Sequence, residues 1–291
     1  MTYQDIIRQL STIYDTGEAK AIARLLLEQR FGLSMTDILC GKVNELSADD
    51  QQELQKMMER LLRAEPIQYV LGETMFCGRP FHVAPGVLIP RLETEELCRW
   101  VVAEVSPSTH ILDIGTGSGC IAITLAAAIE DCQVTAWDIS DAALRIAEGN
   151  GRRNHVHVRF EKKDILKAIP PATDDRQPAT AWDIIVSNPP YIYRKESCQM
   201  ARNVLDYEPQ EALFAPDDDP DAMYQAIGRY AAETLRPGGS LYLEMNPMLT
   251  EAVAAYLQGL GLEQIELRND QFGKLRFIKA TKTTYSYEGN H

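Results

Sequence analysis

The sequence has no long apolar run, and no stretch approaches the roughly 18 uncharged apolar residues that a membrane-spanning helix needs. Its first residues carry Asp5 and Arg8, where a secretory signal peptide would be apolar. We therefore expect a cytoplasmic protein that has no membrane partner.

Cysteine and histidine are few and widely spaced. The six cysteines contain no Cys-x-x-Cys pair, and the five histidines contain no His-x-x-x-His pair. This spacing predicts neither a metal site nor a redox dithiol, so we expect reduced thiols that are mostly buried. The cysteines are Cys40, Cys77, Cys98, Cys120, Cys132 and Cys198.

The sequence also has fewer basic residues than acidic ones, 29 compared with 42, which gives a net charge of −13. Affinity for nucleic acid depends on lysine and arginine that displace counterions from phosphates, so it would require a local basic patch. The best candidate patch is interpreted first as a solvated helix end and strand face. It consists of Arg152, Arg153, His155, His157, Arg159, Lys162 and Lys163. We expect no sequence-specific binding to nucleic acid.

The composition is otherwise that of a folded globular protein, with 45% hydrophobic and 24% charged residues among 291. This length favours two domains, or one large domain with an appendage. Apolar residues at helical spacing predict a helical domain over residues 1–72, with helices at 3–14, 19–31, 34–40 and 49–64. Short β-prone runs at 75–77, 81–83 and 87–89 predict a linking β-hairpin over 73–90, which leaves 91–291 as the second domain.

Strands and helices alternate in the second domain, which predicts an α/β fold with a mostly parallel sheet and right-handed connections. The predicted strands are 110–114, 133–138, 156–161, 182–187 and 240–244, and the predicted helices are 94–105, 120–129, 141–149, 220–235 and 249–258. The tail, 262–267 and 275–279, is too closely spaced for a crossover helix and predicts an antiparallel hairpin. Residues 170–180 are predicted to form a polar loop.

The first strand of the alternating region ends in a glycine-rich turn, Asp113-Ile114-Gly115-Thr116-Gly117-Ser118-Gly119, which runs directly into a helix. Glycines let the backbone approach a ligand, and open α/β sheets bind cofactors in the crevice at such strand ends. Asp138, at the end of the next strand, is placed to accept both hydroxyls of a ribose. Because Gly117, Gly119 and Ala122 also match the dinucleotide spacing, these residues indicate an adenosine-type cofactor and leave a nicotinamide-dependent oxidoreductase open.

Two further acidic residues bear on the cofactor. Asp113 puts a carboxylate where a dinucleotide would place its pyrophosphate, which favours a sulfonium cofactor with a free amino group. Asp164, followed by Ile165, is placed either to accept from an adenine amino group or to cap a helix that begins at Ile165.

The fourth strand delivers Asn188-Pro189-Pro190-Tyr191 to the same edge of the sheet. By itself this tetrapeptide is a rigid loop, because proline restricts the residue before it to an extended backbone. Beside the glycine turn it favours transfer to a planar NH₂ group: the Asn188 side-chain oxygen and the Pro189 carbonyl each accept one N–H, and Tyr191 stacks on the group. An asparagine suits this task because it accepts through a carbonyl without burying a charge.

In combination these motifs resemble the class I S-adenosylmethionine-dependent methyltransferases that methylate planar NH₂ nitrogens. Further features are similar to the bacterial peptide chain release factor glutamine methyltransferase family. They are the small helical N-terminal domain, the hairpin with Phe76 and Phe81, and the segments Glu65-Pro66-Ile67-Gln68-Tyr69-Val70-Leu71-Gly72, Ile89-Pro90-Arg91-Leu92-Glu93-Thr94-Glu95 and Asp270-Gln271-Phe272-Gly273-Lys274-Leu275-Arg276.

The resemblance implies a class I, Rossmann-like methyltransferase domain, with the helical domain recognising a protein substrate. It implies that Asn188, Pro189, Pro190 and Tyr191 hold the glutamine amide of the Gly-Gly-Gln motif in class 1 peptide chain release factors, whose product is N5-methylglutamine. The residues expected to contact S-adenosylmethionine, and its product S-adenosylhomocysteine, are Gly115, Thr116, Gly117, Ser118, Gly119, Asp138 and Asn188, to which the residue pattern adds Asp113, Asp164 and Ile165.

Other functions stay open at this point. The same tetrapeptide suits methylation of adenine N6 or another exocyclic amine in nucleic acid, which the net charge of −13 disfavours. A non-catalytic binding module is disfavoured because the cofactor crevice and the acceptor loop occur together.

The sequence departs from the family pattern at three places. Leu92 replaces a second proline, 215–221 replaces a glycine-rich stretch, and Asn246 with Leu249 stands where glycine and glutamine are common. The acidic run at 217–221 is interpreted as a helix start, with Asp219 as N-cap and Pro220 at the first helical position. A sharper hypothesis is that this run docks a basic partner surface.

Overall fold

The structure is a computed structural model that describes residues 1–168, 182–216 and 219–283. The predicted loop at 170–180 and residues Asp217 and Asp218 of the acidic run lie outside the described residues. Packing of Cα atoms divides the chain into two units. The first contains Met1–Thr74, Val83–Pro85 and Met200–Glu208, and the second contains the other described residues.

The first unit is built from helices, and four of them begin at a side-chain cap. Thr2, Asp15, Ser34 and Ser47 each accept a hydrogen bond from a backbone N–H in the first turn of the helix that follows. The helices of this unit, except the last, pack around a core of buried aliphatic side chains. They are α1 (Tyr3–Leu10), α2 (Thr16–Phe31), α3 (Met35–Leu39), α4 (Ala48–Leu61), α5 (Ile67–Leu71) and α9 (Arg202–Tyr207), with a 3₁₀ turn at Lys42–Glu45.

A short two-stranded sheet, β1 (Glu73–Phe76) and β2 (Arg79–His82), precedes the α/β region. The α/β strands are β3 (His110–Ile114), β4 (Gln133–Asp138), β5 (Arg159–Lys162), β6 (Trp182–Ser187), β7 (Leu235–Glu244), β8 (Leu262–Asn269) and β9 (Leu275–Lys282). The helices are α6 (Leu92–Glu104), α7 (Cys120–Ala128), α8 (Asp141–Arg153), α10 (Gln210–Leu213), α11 (Ala222–Thr234) and α12 (Thr250–Gly259), and 3₁₀ turns lie at Arg194–Gln199 and Pro247–Leu249.

The main sheet of the described residues has seven strands in the order β5-β4-β3-β6-β7-β9-β8. Strands β3 to β7 run parallel, and β9 pairs antiparallel with both β7 and β8. This confirms the predicted α/β class and the C-terminal hairpin. Because β4 and β6 lie on opposite sides of β3, the strand order reverses there, and the carboxyl ends of β3 and β6 flank the crevice where such sheets bind ligands.

Several local predictions are wrong. Residues 87–89 form no strand; Val87 and Ile89 are buried, and a three-residue apolar run does not distinguish a strand from a loop anchored in the core. Helix α11 begins at Ala222 with Asp221 as N-cap, because the Ala222 N–H donates to the Asp219 carbonyl in a preceding turn. Asp219 is therefore not the N-cap, and Pro220 lies before the helix.

The helices between 194 and 213 were not predicted, since each spans six residues or fewer and shows little periodicity. The expectation of mostly buried thiols is also wrong. All six cysteines are free, but Cys40 and Cys198 are exposed, Cys77 and Cys132 are half-buried, and only Cys98 and Cys120 are buried. No helix in the described part of the chain is long and apolar enough to cross a membrane.

Candidate active site

The glycine turn after β3 faces open space. The N–H groups of Gly115 and Thr116 both donate to the Trp137 carbonyl at 2.9 Å, which fixes the turn against the end of β4. Gly115 and Gly117 have positive φ angles of 75° and 55°, and a Cβ atom built at either would meet no other heavy atom within 4 Å. This free surface at the switch point fits a ligand that approaches the backbone closely.

Gly119 is a glycine for a different reason. It lies at the start of α7 with φ at +82°, and a Cβ atom there would stand 2.9 Å from Ile123 Cδ1 and 3.1 Å from Ala147 Cβ. Gly119 therefore lets α7 pack against α8. A cofactor contact at Gly119 stays a prediction.

Asp138 links the end of β4 to the glycine turn. Its Oδ2 accepts from the Gly117 N–H at 2.8 Å and its Oδ1 from the Ser140 N–H at 2.9 Å. Each carboxylate oxygen has a further lone pair. The partly exposed carboxylate therefore holds the turn and keeps acceptor capacity for two ribose hydroxyls.

Asp113 lies beneath the turn and is fully buried. Its Oδ2 accepts from the Thr116 hydroxyl at 2.6 Å and from the Ala122 N–H at 3.2 Å, while Oδ1 has no partner among the described residues. Burial raises the pKa of this carboxyl to about 7 against the lowering effect of the two hydrogen bonds. The structure thus gives Asp113 a role in shaping the turn, and its contact with a cofactor amino group stays a prediction.

Asp164 stabilises a turn, and the alternative that it caps a helix from Ile165 is wrong. Its Oδ1 accepts from the Leu166 N–H at 3.0 Å, and residues 165–167 form a turn and not a helix. Ile165 is buried. A contact of Asp164 and Ile165 with adenine stays a prediction, as does a contact with Ser118, which is buried in the glycine turn.

The tetrapeptide Asn188-Pro189-Pro190-Tyr191 leaves a fully buried strand, β6. The Ser187 hydroxyl donates to the Ile114 carbonyl at 2.6 Å and so joins the ends of β6 and β3. The tetrapeptide and the glycine turn are thereby held at the same edge of the sheet, as the sequence predicts.

A buried carboxylate that sequence reasoning missed holds both ends of the tetrapeptide. Glu244, at the end of β7, is 1% exposed. Its Oε2 accepts from the Thr94 hydroxyl at 2.7 Å, and Thr94 Oγ1 accepts in turn from Asn188 Nδ2 at 3.0 Å. Its Oε1 accepts from the Tyr191 hydroxyl at 3.0 Å. Burial raises the pKa of Glu244, and the hydrogen bonds from Thr94 and Tyr191 oppose that shift.

Two more residues fix Tyr191. Arg276 donates from Nη1 to the Tyr191 hydroxyl at 3.2 Å and forms an ion pair with Asp270 at 3.2 Å. Asn246, one of the departures from the family pattern, donates from Nδ2 to the Tyr191 carbonyl at 3.1 Å. The sequence does offer a signal for Glu244, because a carboxylate at the end of the strand beside β6 lies at the edge of the sheet where the site forms. It offers none for Thr94, which is far from Asn188 along the chain.

Leu92 and the basic patch, both noted in the sequence, lie on the surface of the protein. Leu92 is the first residue of α6 and is 60% exposed. In the basic patch, Lys162 pairs with Asp141 at 2.5 Å, and Arg159 and Lys163 both pair with Glu161. These three cations are partly neutralised by neighbouring acids, which fits the interpretation as a solvated surface.

Comparison with known proteins agrees with this geometry. The family model described as Methyltransferase small domain matches residues 71–212, and the PrmC N-terminal domain model matches residues 3–72. A crystal structure of a methyltransferase from Pyrococcus furiosus, with 17% sequence identity and a TM-score of 0.51, covers 82% of this chain with its whole length. The sheet, the glycine turn and the acceptor tetrapeptide define a class I, Rossmann-like methyltransferase.

Curated relatives specify the family. A release factor glutamine methyltransferase from Bacteroides thetaiotaomicron is 44% identical over 95% of this chain and 98% of its own length. Proteins of the same name from Flavobacterium psychrophilum and Streptococcus pneumoniae are 39% and 34% identical, each over 94% of this chain and, respectively, 95% and 94% of their own lengths. The chain belongs to the release factor glutamine methyltransferase family.

This membership confirms the predicted resemblance and an enzyme that uses S-adenosylmethionine. The hypotheses of a nicotinamide-dependent oxidoreductase and of a non-catalytic binding module are wrong. The alternative of nucleic-acid methylation gains no support from the two family models or from these curated relatives.

Proposed function

We propose that this protein transfers a methyl group from S-adenosylmethionine to the side-chain amide nitrogen of the glutamine in the Gly-Gly-Gln motif of class 1 peptide chain release factors, in the cytoplasm. The observation that carries the proposal is the orientation of Asn188. Its NH₂ group is engaged by Thr94, so its side-chain oxygen remains as an acceptor for a substrate N–H.

The residues of the glycine turn fit the cofactor. The open space in front of Gly115 and Gly117 admits a nucleoside against the backbone, and Asp138 retains acceptor capacity for its ribose. When bound, S-adenosylmethionine supplies an electrophilic methyl on a sulfonium and leaves as S-adenosylhomocysteine, whose sulfur keeps the electrons of the broken C–S bond.

The tetrapeptide performs the positioning. The Asn188 Oδ1 atom and the Pro189 carbonyl each accept one N–H of the glutamine amide, which directs the nitrogen lone pair at the methyl carbon, while Tyr191 stacks on the planar group. The new N–C bond leaves a positive charge on nitrogen, and that nitrogen releases a proton to water, so the site needs no strong base. Orientation of this kind supplies on the order of 7–11 kcal/mol through effective molarity.

Recognition of the protein substrate is assigned to the helical residues 1–72, with 73–90 as a linker and 91–291 as the methyltransferase domain. Support comes from the separate family model that matches residues 3–72. The acidic residues before α11 are a further candidate contact for a basic surface of the substrate.

The test is methylation of a purified release factor with isotopically labelled S-adenosylmethionine, followed by mass spectrometry of the tryptic peptides. We expect label on the glutamine of the Gly-Gly-Gln motif and none on a release factor whose motif glutamine is replaced by glutamate. Asn188→Ala should abolish the label, while the matched control Gln258→Ala, an exposed position on α12, should not change it. Label on another residue, or on nucleic acid alone, would contradict the proposal.

A further inference from the structure

We infer that Thr94 and Glu244 are positioning residues that decide which atom of the Asn188 amide faces the substrate, an inference that rests on the proposed function. The two ends of an asparagine amide have nearly the same shape, but one end accepts hydrogen bonds and the other donates two. An amide turned by 180° would present N–H groups to the N–H groups of the glutamine. The site therefore needs a device that selects one orientation.

The carboxylate of Glu244 determines which way the Asn188 amide is turned. Burial raises the pKa of Glu244, but the hydrogen bonds from Thr94 and Tyr191 and the positive charge of Arg276 favour its ionised form. An ionised carboxylate only accepts, so the single hydroxyl hydrogen of Thr94 is committed to Glu244 Oε2 at 2.7 Å. Thr94 Oγ1 has only lone pairs left, and its second partner must be a donor. Asn188 Nδ2, at 3.0 Å, is that donor, which leaves Asn188 Oδ1 as the substrate acceptor.

The hydrogen bonds on the other side of Glu244 also run toward its carboxylate, which accepts from Tyr191 as it does from Thr94. The Arg276 guanidinium only donates, and it donates to the Tyr191 hydroxyl at 3.2 Å, so the phenol hydrogen points to Glu244 Oε1 at 3.0 Å. Two hydrogen-bonded chains, one from Arg276 through Tyr191 and one from Asn188 through Thr94, therefore end on one carboxylate. Glu244 sets the first and last side chains of the tetrapeptide together.

Substitutions by side chains of similar shape separate the effect of the hydrogen-bond direction at Asn188 from the effect of packing. Thr94→Val keeps the buried volume but leaves the Asn188 amide without a partner that distinguishes its two ends, whereas Thr94→Ser keeps the hydroxyl. Glu244→Gln supplies an NH₂ group that can donate to Thr94 Oγ1, which frees the hydroxyl hydrogen for Asn188 Oδ1 and permits the reversed amide. Thr234→Val, at another buried threonine whose hydroxyl donates to the Tyr230 carbonyl, is the control for losing a buried hydroxyl.

The experiment measures kcat and KM for full-length proteins with release factor and S-adenosylmethionine, together with the affinity for S-adenosylhomocysteine. We expect Thr94→Val and Glu244→Gln to lower kcat by about 10- to 100-fold, the range for losing a hydrogen-bonded positioning contact. The KM for the cofactor and the affinity for S-adenosylhomocysteine should stay within about twofold, because the side-chain hydrogen bonds of both residues within the described part of the chain go to Asn188, Tyr191 and each other and not to the glycine turn. Thr94→Ser should recover most of the lost kcat, and Thr234→Val should not lower it.

A readout that needs no substrate accompanies the kinetics. The side-chain NH₂ signals of Asn188 in a ¹⁵N-labelled sample, identified by their loss in Asn188→Ala, should exchange with solvent faster in Thr94→Val than in the unmodified protein or Thr94→Ser. Unchanged exchange or unchanged kcat in Thr94→Val would overturn the inference, as would equal impairment of the valine and serine variants. Failure of the proposed function is distinct, because the unmodified protein itself would then leave the release-factor glutamine unmethylated.

Discussion

Two glycines of one turn face opposite surroundings, which gives alanine substitutions at Gly117 and Gly119 different expected effects. At Gly119 a methyl group would lie 2.9 Å from Ile123 Cδ1 and 3.1 Å from Ala147 Cβ, so the Ile123 side chain would have to change position and Ala147 of α8 would have to shift by a few tenths of an ångström. At Gly117 it would enter open space that we assign to the cofactor. Gly119→Ala should therefore destabilise the fold, and Gly117→Ala should weaken cofactor binding.

The free energies of unfolding follow from these contacts. Both positions have positive φ, +55° at Gly117 and +82° at Gly119, and a left-handed backbone costs a residue with a Cβ about 1–2 kcal/mol. The overpacked methyl at Gly119 adds about 1–3 kcal/mol. We expect a loss of about 1–2 kcal/mol for Gly117→Ala and about 2–5 kcal/mol for Gly119→Ala.

Urea unfolding followed by tryptophan fluorescence measures this difference, because the three tryptophans, Trp100, Trp137 and Trp182, all lie in the second unit. Initial rates of methyl transfer give the KM for S-adenosylmethionine of the same variants. We expect the larger rise in KM for Gly117→Ala and the larger loss of stability for Gly119→Ala. Equal losses of stability, or a normal KM for Gly117→Ala, would refute the assignment of the space at Gly117 to the cofactor and of Gly119 to helix packing.

Two more substitutions test the carboxylates near the turn. Asp138→Ala removes the acceptor of the Gly117 and Ser140 N–H groups together with the ribose acceptor, so initial rates should show a raised KM for S-adenosylmethionine with a much smaller change in kcat; an unchanged KM would contradict that role. The folded-state pKa of Asp113, raised by burial from 3.8 to about 7, favours folding at low pH, and this contribution is lost as the pH rises from about 4 through 7. Relative to the unmodified protein, Asp113→Asn should gain up to about 4 kcal/mol of stability between pH 4 and pH 8, at about 1.4 kcal/mol per pH unit. Urea unfolding of both proteins across this pH range measures the gain. A difference in stability between them that does not change with pH would contradict burial of Asp113 as the cause.

The sequence predicts the centre of the sheet well. Strands β3, β4 and β6 have the predicted bounds, because each is a short run rich in β-branched, aliphatic or aromatic residues that is followed by a glycine, aspartate or proline turn. The functional motifs follow these strands directly, so their placement at one sheet edge follows from parallel topology.

The remainder depends on contacts between distant parts of the chain. The Thr94 hydroxyl, the Glu244 carboxylate and the Asn188 amide come from α6, β7 and the end of β6, and no local spacing indicates that they meet. Gly119 illustrates the same limit. Its position in a motif predicts a cofactor contact, whereas the distance to Ala147 on the next helix shows a packing requirement.

The central claim is that the Asn188 side chain orients the acceptor nitrogen of the substrate amide. Its most direct test is the single-turnover rate of Asn188→Ala with saturating release factor and S-adenosylmethionine, measured beside the binding of S-adenosylhomocysteine. A misplaced acceptor costs about 100-fold or more in rate, so we expect at least that loss with cofactor affinity within a few-fold of the unmodified protein. A single-turnover rate near that of the unmodified protein would contradict the claim.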